Sequence, residues 1–282
     1  METITTINRL RTLLETHRTA NRTIGLVPTM GALHEGHASL VRLAVQQSDV
    51  VVVSIFVNPT QFNDPTDLRN YPRTFEADAK LLADLGVDYL FAPEVQEIYP
   101  EPDTRLFKFP PLDEVMEGVS RPGHFNGVAQ VVSKLFFITE PTRAYFGEKD
   151  FQQLAIIRRM TRDLQLPIEI VGCPILRAED GLALSSRNEL LTSEQRTQAL
   201  AISAALFQSR QLKLEGRSLA EVRQYVENAI DEAQGLELEY FCIVEVQDLQ
   251  PLSEWTEGQG AVGCITVQCG SVRLIDNISY HN

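Results

Sequence analysis

Between residues 23 and 171, short apolar runs alternate with stretches in which apolar residues recur every three or four positions. Residues 23–27 predict a strand, and Pro28-Thr29-Met30-Gly31 the turn that ends it. Within 37–47, Leu40, Val41, Ala44 and Val45 fall at helical spacing. Asp49 precedes a run at 50–57 that is apolar at nearly every position, the pattern of a parallel strand covered on both faces. A helix over 74–85 stops at Gly86, and 87–91 predicts a third strand. Pro-rich and acidic loops fill 93–123. There follow a helix at 127–138, a strand at 144–146, a helix at 150–164 and a strand at 167–171. Phe151, Leu154, Ile157 and Met160 line one face of the 150–164 helix, and Asp150 is placed to cap it.

This alternation predicts an α/β fold with a doubly wound, Rossmann-like parallel sheet. Ligands of such sheets lie beyond the carboxyl ends of the strands. The informative loops are therefore those after Val27, Val57 and Phe146. Near Ile175 the pattern changes. A loop over 178–188 leads into two long helices at 193–213 and 218–234, each opening with Ser and carrying Glu soon after. Strand-like runs at 238–246, 261–267 and 272–275 close the pattern. Two domains are expected: 1–176, Rossmann-like, and 177–282, a smaller α+β unit.

Hydrophobic residues make up 44% and charged residues 22% of 282, the composition of an ordinary soluble globular protein. A formal net charge of −13 argues against nucleic acid and anionic membranes as partners. A polyanion such as ATP would need a local pocket of positive potential. No apolar run approaches the ~18 residues of a membrane span, and Met1-Glu2-Thr3-Ile4 does not begin a signal peptide, so a cytoplasmic location is expected. Cys173, Cys242, Cys264 and Cys269 show no zinc spacing and read as small reduced residues; Cys264 and Cys269, an odd number apart in one strand, should face opposite ways.

The most informative stretch is Pro28-Thr29-Met30-Gly31-Ala32-Leu33-His34-Glu35-Gly36-His37, between a strand and a helix. A helix start offers free N–H groups and the positive end of the dipole. Gly31 and Gly36 allow close approach, and His34 and His37, three apart, share a face. The two imidazoles suit phosphate oxygens, and either could carry charge near neutral pH. Polar surface histidines, or a His-x-x-His metal pair without a third ligand, remain alternatives. Asn58 and Gln61, just past the second strand, suit hydroxyl and carboxylate oxygens, or form a plain turn with a solvated amide. Gly147-Glu148-Lys149-Asp150 joins a strand to a helix and offers an ammonium to phosphate, although most such lysines are solvated. Ser185-Ser186-Arg187 offers two hydroxyls and a guanidinium to a triphosphate, or a helix cap with a solvated Arg.

His-x-Gly-His after the first strand resembles the signature of the adenylate-forming nucleotidyltransferase superfamily, and the whole string 28–37 resembles the pantothenate synthetase (pantoate–β-alanine ligase) family. Phe56-Val57-Asn58-Pro59-Thr60-Gln61-Phe62, Tyr71-Pro72-Arg73-Thr74 and Arg121-Pro122-Gly123-His124-Phe125 extend the match. So do Phe146-Gly147-Glu148-Lys149-Asp150-Phe151-Gln152-Gln153, Gly181-Leu182-Ala183-Leu184-Ser185-Ser186-Arg187-Asn188 and Arg273-Leu274-Ile275-Asp276-Asn277. Together they cover almost the whole chain in order.

The resemblance implies ATP-dependent condensation of pantoate with β-alanine through a pantoyl adenylate, with ATP and Mg²⁺ required and a homodimer expected. It implies that Met30–His37, Gly147–Asp150, Leu176 and Leu184–Arg187 bind ATP, naming Met30, Gly31, Ala32, Leu33, His34, Glu35, Gly36, His37, Gly147, Glu148, Lys149, Asp150, Leu176, Leu184, Ser185, Ser186 and Arg187. His34, His37, Lys149 and Arg187 would be catalytic; Asn58, Gln61 and Gln153 would hold pantoate, and Gln61 also β-alanine. The 178–188 loop would be mobile over ATP. Leu184 stands where the family carries Met, a nearly volume-conserving change. No metal ligands are assigned. Rival readings are a nucleotidyltransferase of the same fold and a non-catalytic nucleotide-binding regulator; a dehydrogenase is disfavoured because no Gly-x-Gly-x-x-Gly follows the first strand.

Overall fold

The structure, a computed structural model, describes residues 1–280. In chain order its elements begin with β1 (Glu2–Ile4), α1 (Ile7–Thr19), β2 (Ile24–Thr29), α2 (Glu35–Gln47) and β3 (Val50–Ile55). Next come α3 (Pro65–Asn70), α4 (Phe75–Asp84), β4 (Tyr89–Phe91), α5 (Val95–Ile98), α6 (Glu117–Ser120), α7 (His124–Thr139), β5 (Arg143–Gly147), α8 (Phe151–Asp163) and β6 (Glu169–Cys173). Then follow α9 (Ser193–Leu214), α10 (Leu219–Asp231), β7 (Leu236–Glu245), β8 (Ala261–Cys269) and β9 (Val272–Ser279).

Strands β1 to β6 form one parallel sheet in the order β1-β4-β3-β2-β5-β6. The chain winds outward from β2 and then returns to β5 beside it, so the direction reverses between β2 and β5. Their carboxyl ends open onto the crevice where such sheets take ligands. Alternate residues of β3 feed two cores. Val50 and Val52 pack with Leu10, Leu14, Val132, Leu135 and Ile157 on one face. Val51 and Val53 pack with Val41, Ala44 and Leu82 on the other. Helices cover both faces, which is why the β3 run is apolar throughout.

Strands β7 to β9 form a separate antiparallel sheet. One face carries Phe241, Ile265, Val267 and Cys269 against Ile202, Leu206, Val222 and Val226 of α9 and α10. The other carries Val244, Val262 and Cys264 into the core of the parallel sheet. Cys264 and Cys269 thus face opposite ways, and all four cysteines are free.

Several boundaries move. β1 and α1 precede the first strand expected from the sequence; β1 adds only three residues to the sheet edge. β2 runs through Pro28 rather than turning there. β5 pairs with β2 at Gly25 and Leu26, below Pro28, so the proline's missing N–H interrupts no ladder on that side. α2 begins at Glu35, not His37, and α7 begins at His124, not residue 127. The 93–123 stretch holds α5 and α6. The caps of α9 and α10 are the reciprocal boxes Thr192/Gln195 and Ser218/Glu221. Asp150 occupies the cap position of α8, yet its side chain makes no capping hydrogen bond.

Candidate active site

A cleft lies over the β2/β5 crevice. It is lined by Met30, His34, Gly36 and His37 from the β2 side, and by Gly147, Lys149, Asp150 and Gln153 from the β5 side. Gln61 and Tyr71 form one wall, and Leu176, Leu184, Ser185, Ser186 and Arg187 another. Phe56, Val128, Val131, Val132 and Leu135 supply an apolar floor.

His34 is the N-cap of α2. Its Nδ1 accepts from the Gly36 N–H at 3.1 Å, and the Nδ1 of His37 accepts from the His34 N–H at 3.4 Å. Each Nδ1 being an acceptor, the neutral rings carry their proton on Nε2. The ring centroids are 4.1 Å apart, as the three-residue spacing predicts. Gly36 is demanded by this packing: a Cβ there would meet the His34 ring at 2.7 Å. The expectation that either ring is charged near neutral pH is corrected. Burial pushes His37 down to about 3, with His34 and the Lys149 ammonium adding to the effect. Burial and then Lys149 push His34 down to about 4, Asp150 opposing. The protein therefore presents two neutral imidazoles, each with its proton on Nε2, beside Lys149.

The turn before α2 is held by a residue the sequence reading did not single out. Asp78, 2% exposed, accepts from the Ala32 N–H at 2.9 Å, the Leu33 N–H at 2.8 Å and the Thr74 hydroxyl at 3.1 Å. Ala32 has φ +50° and follows Gly31 at +83°, so the charged acceptor offsets a left-handed backbone that costs ~1–2 kcal/mol at a non-glycine residue. The available signal was a carboxylate four residues before Leu82, on the buried face of α4.

Gln61 is set by packing of α7 on the loop after β3. A Cβ at Gly127 would lie 2.3 Å from the Thr60 carbonyl oxygen, so only glycine permits the approach. Asn58, 1% exposed, does not line the cleft. Its Nδ2 donates to Gln61 Oε1 and to the Gly127 carbonyl, both at 3.1 Å, and its Oδ1 accepts from the Tyr99 hydroxyl at 2.9 Å. Gly31, Ala32, Leu33, Glu35 and Glu148 also lie outside the lining; Glu35 pairs with Arg42. Asn277 of β9 donates to the carbonyls of Glu148 at 2.8 Å and Lys149 at 3.0 Å, which fixes the turn that carries Lys149.

Ser185 caps the short 3-10 turn Ser186–Leu190 by accepting from the Arg187 N–H at 3.3 Å. Ser186 sits 3.5 Å from the Tyr71 hydroxyl. Arg187 is not free: its guanidinium lies 3.2 Å from Asp67 of α3, a half-exposed pair worth at most ~1 kcal/mol. Among the described residues no group of three or more His, Cys, Asp or Glu could hold a metal, and no helix is long and apolar enough to cross a membrane.

A family model described as pantoate-beta-alanine ligase matches residues 2–279. The chain is 60% identical over 281 residues to a pantothenate synthetase of Phocaeicola vulgatus, covering 99% of each, and 55% identical over 282 residues to one of Porphyromonas gingivalis, covering 100% of each. A pantothenate synthetase crystal structure from Thermus thermophilus superposes with a TM-score of 0.94 at 45% identity over 100% of both chains. The Francisella tularensis pantoate-beta-alanine ligase, complexed with beta-gamma ATP and beta-alanine, gives 0.83 at 37% identity, over 100% of this chain and 98% of that one. The chain is a ligase and belongs to the pantoate–beta-alanine ligase family, whose curated relatives are named pantothenate synthetases.

Proposed function

We propose that the cleft condenses (R)-pantoate with β-alanine in two steps, through pantoyl adenylate, using ATP and releasing AMP and pyrophosphate. The observation that carries this reading is the convergence on one cleft of His34, His37, Lys149, Ser185, Ser186 and Arg187, beside Gln61, Gln153 and an apolar floor. The first set suits a triphosphate and the second a branched hydroxy acid. Phe56 and the valines accept the dimethyl carbon of pantoate; the two amides meet its hydroxyls and carboxylate.

In the first step a carboxylate oxygen of pantoate attacks the α-phosphorus. The new O–P bond forms as the bond from that phosphorus to the β-bridging oxygen breaks, and pyrophosphate takes the electron pair. A carboxylate needs no base, so positioning and charge neutralisation supply the rate. The Nε2–H donors of His34 and His37 and the Lys149 ammonium face the charge that builds on the phosphates. An arriving triphosphate favours the protonated rings and so opposes the effect of burial. In the second step the neutral amine attacks the acyl carbon, AMP leaves with the C–O bond pair, and the nitrogen sheds a proton.

Magnesium fits this site. A triphosphate-bound Mg²⁺ keeps most of its waters and needs few protein ligands. Asp150 is the acidic side chain lining the cleft, has no hydrogen-bond partner among the described residues, and is the group that would meet the ion. When bound, the ion neutralises phosphate charge. In this reading residues 1–176 bind pantoate and nucleotide, and residues 177–282 form a second domain that brings Ser185–Arg187 over ATP. Incubation with ATP, pantoate, β-alanine and Mg²⁺ should yield AMP and an amide in equal amounts. ADP in place of AMP, or AMP without amide, sinks the reading.

A further inference from the structure

The motif Arg121-Pro122-Gly123-His124-Phe125 takes no part in the cleft just described. Arg121 and His124 line a second pocket, between α6, α7 and the antiparallel sheet, that shares Lys149, Asp150 and Gln153 with the cleft. We propose that this pocket holds the carboxylate of the amine substrate, with Arg121 as its binding cation, while the amine reaches back into the cleft. The proposal rests on the acyl-adenylate reading above.

The partners of the polar groups around this pocket single out Arg121. Glu117 is already satisfied: the Arg273 guanidinium spans its two oxygens at 2.7 and 2.8 Å, and the hydroxyls of Tyr240 and Thr266 donate at 2.8 and 3.2 Å. Gln152 donates to the carbonyls of Leu112 and Val115 and accepts from the Glu117 N–H. Asp276 is clamped by Arg177 at 2.6 and 2.9 Å. Arg121 is different. Among the described residues its guanidinium has two weak hydrogen-bond acceptors, the His124 Nε2 at 3.2 Å and the Gln61 carbonyl at 3.5 Å. Its ion pair with the Glu117 carboxylate is long, at 3.6 Å, and that carboxylate is held more closely by Arg273. The side chain is 26% exposed.

A largely buried guanidinium with five N–H donors, whose nearest carboxylate is 3.6 Å away and already gripped by Arg273, is under-satisfied, and a ligand carboxylate taken in a two-pronged grip relieves that cost. Burial already weakens the protonated form; Glu117 opposes this, and Arg187 and Arg273 reinforce it. His124 fixes the aim. Its Nδ1–H donates to the Gln61 carbonyl at 2.9 Å, which leaves Nε2 as the acceptor for Arg121. Burial, then Arg121, hold this ring neutral, at about 4.

Length matters as well. β-Alanine spans about 4 Å from nitrogen to carboxyl carbon. Its carboxylate must therefore sit in a pocket adjoining the reacting centre. Gln61 bridges the two, with its side chain on the cleft and its backbone carbonyl on Arg121 and His124.

The test compares kcat/KM for β-alanine and for β-alaninamide, which keeps the amine and loses the carboxylate charge, in the wild type and in R121Q. The ratio is internal to one preparation, so it does not depend on the fraction that folds. The wild type should prefer β-alanine by about 10²-fold or more. R121Q should cut that preference at least ~10-fold and raise the KM for β-alanine by a similar factor, well beyond any change in pantoate-dependent exchange of pyrophosphate into ATP. If R121Q is insoluble, R121M, which also removes the charge and keeps an apolar stem, is read the same way. An unchanged preference and KM, or a loss of exchange as large as the loss of coupling, overturns the proposal. Absence of pantoate-dependent exchange in the wild type would instead overturn the underlying reading.

Discussion

His37 carries the sharpest prediction, because the structure gives it two separable jobs. Its Nδ1 accepts the His34 N–H at 3.4 Å, which leaves the proton on Nε2, and its ring lines the cleft. His37→Ala removes both. The long cap bond is worth little, ~0.5–1 kcal/mol, so the variant should fold with a small loss of melting temperature. Loss of a preorganised donor at the developing phosphate charge costs more, about 10²-fold in adenylation rate, or ~2.7 kcal/mol. His37→Gln discriminates between a neutral donor and an imidazolium. The Gln amide nitrogen reaches about as far as Nε2 and is neutral at every working pH. With burial holding His37 at about 3, a neutral donor suffices, and His37→Gln should recover to within about tenfold of the wild type. The assay is pantoate-dependent pyrophosphate exchange, which reports the first step without the amine. A His37→Gln enzyme as slow as His37→Ala would refute the neutral-donor assignment, and exchange unchanged in His37→Ala would remove the residue from the step.

Other perturbations probe the supports of the site. Gln61→Ala should raise the KM for pantoate; an unaltered value removes the amide from the pantoate pocket. Asp78→Ala strips two hydrogen bonds from the turn carrying Ala32 and one from Thr74 at the start of α4, and should cost ~2–4 kcal/mol in urea denaturation, with slower exchange; wild-type stability would show that the turn holds itself. Stability should also fall with acid. His34, His37 and His124 titrate at about 4, 3 and 4 when folded and near ~6.5 when unfolded. Between those values the unfolded chain binds more protons, so stability is full above ~6.5 and is lost as pH falls. The denaturation midpoint at pH 5 should lie below that at pH 7, in a window above ~4, where the unfolded carboxylates begin to take up protons and the contributions of Glu117 and Asp103, held at about 2 when folded, begin to be lost. Equal midpoints contradict the burial assigned to these rings.

The parallel sheet and the cleft loops were legible because their signals are local. A strand buried on both faces must be apolar throughout, as 50–53 is, and a His pair three apart must share a helix face. What the sequence hid depends on distant neighbours. The charge state of His37 is set by burial and by Lys149, far along the chain. Asp78 looks like one more helix acid until the Ala32 and Leu33 amides meet it. Asn58 looks like a cleft residue until Tyr99 and Gly127 consume its amide. Asp150 looks like a helix cap, yet it leaves its carboxylate in the cleft.

The central claim is that pantoate is activated by transfer of AMP to its carboxylate. Pantoate labelled with ¹⁸O in both carboxylate oxygens, turned over with ATP and β-alanine, tests it directly by mass spectrometry of the nucleotide product. One ¹⁸O should appear in AMP and the other should stay in the amide. Unlabelled AMP, with the label in pyrophosphate or inorganic phosphate, would contradict the account.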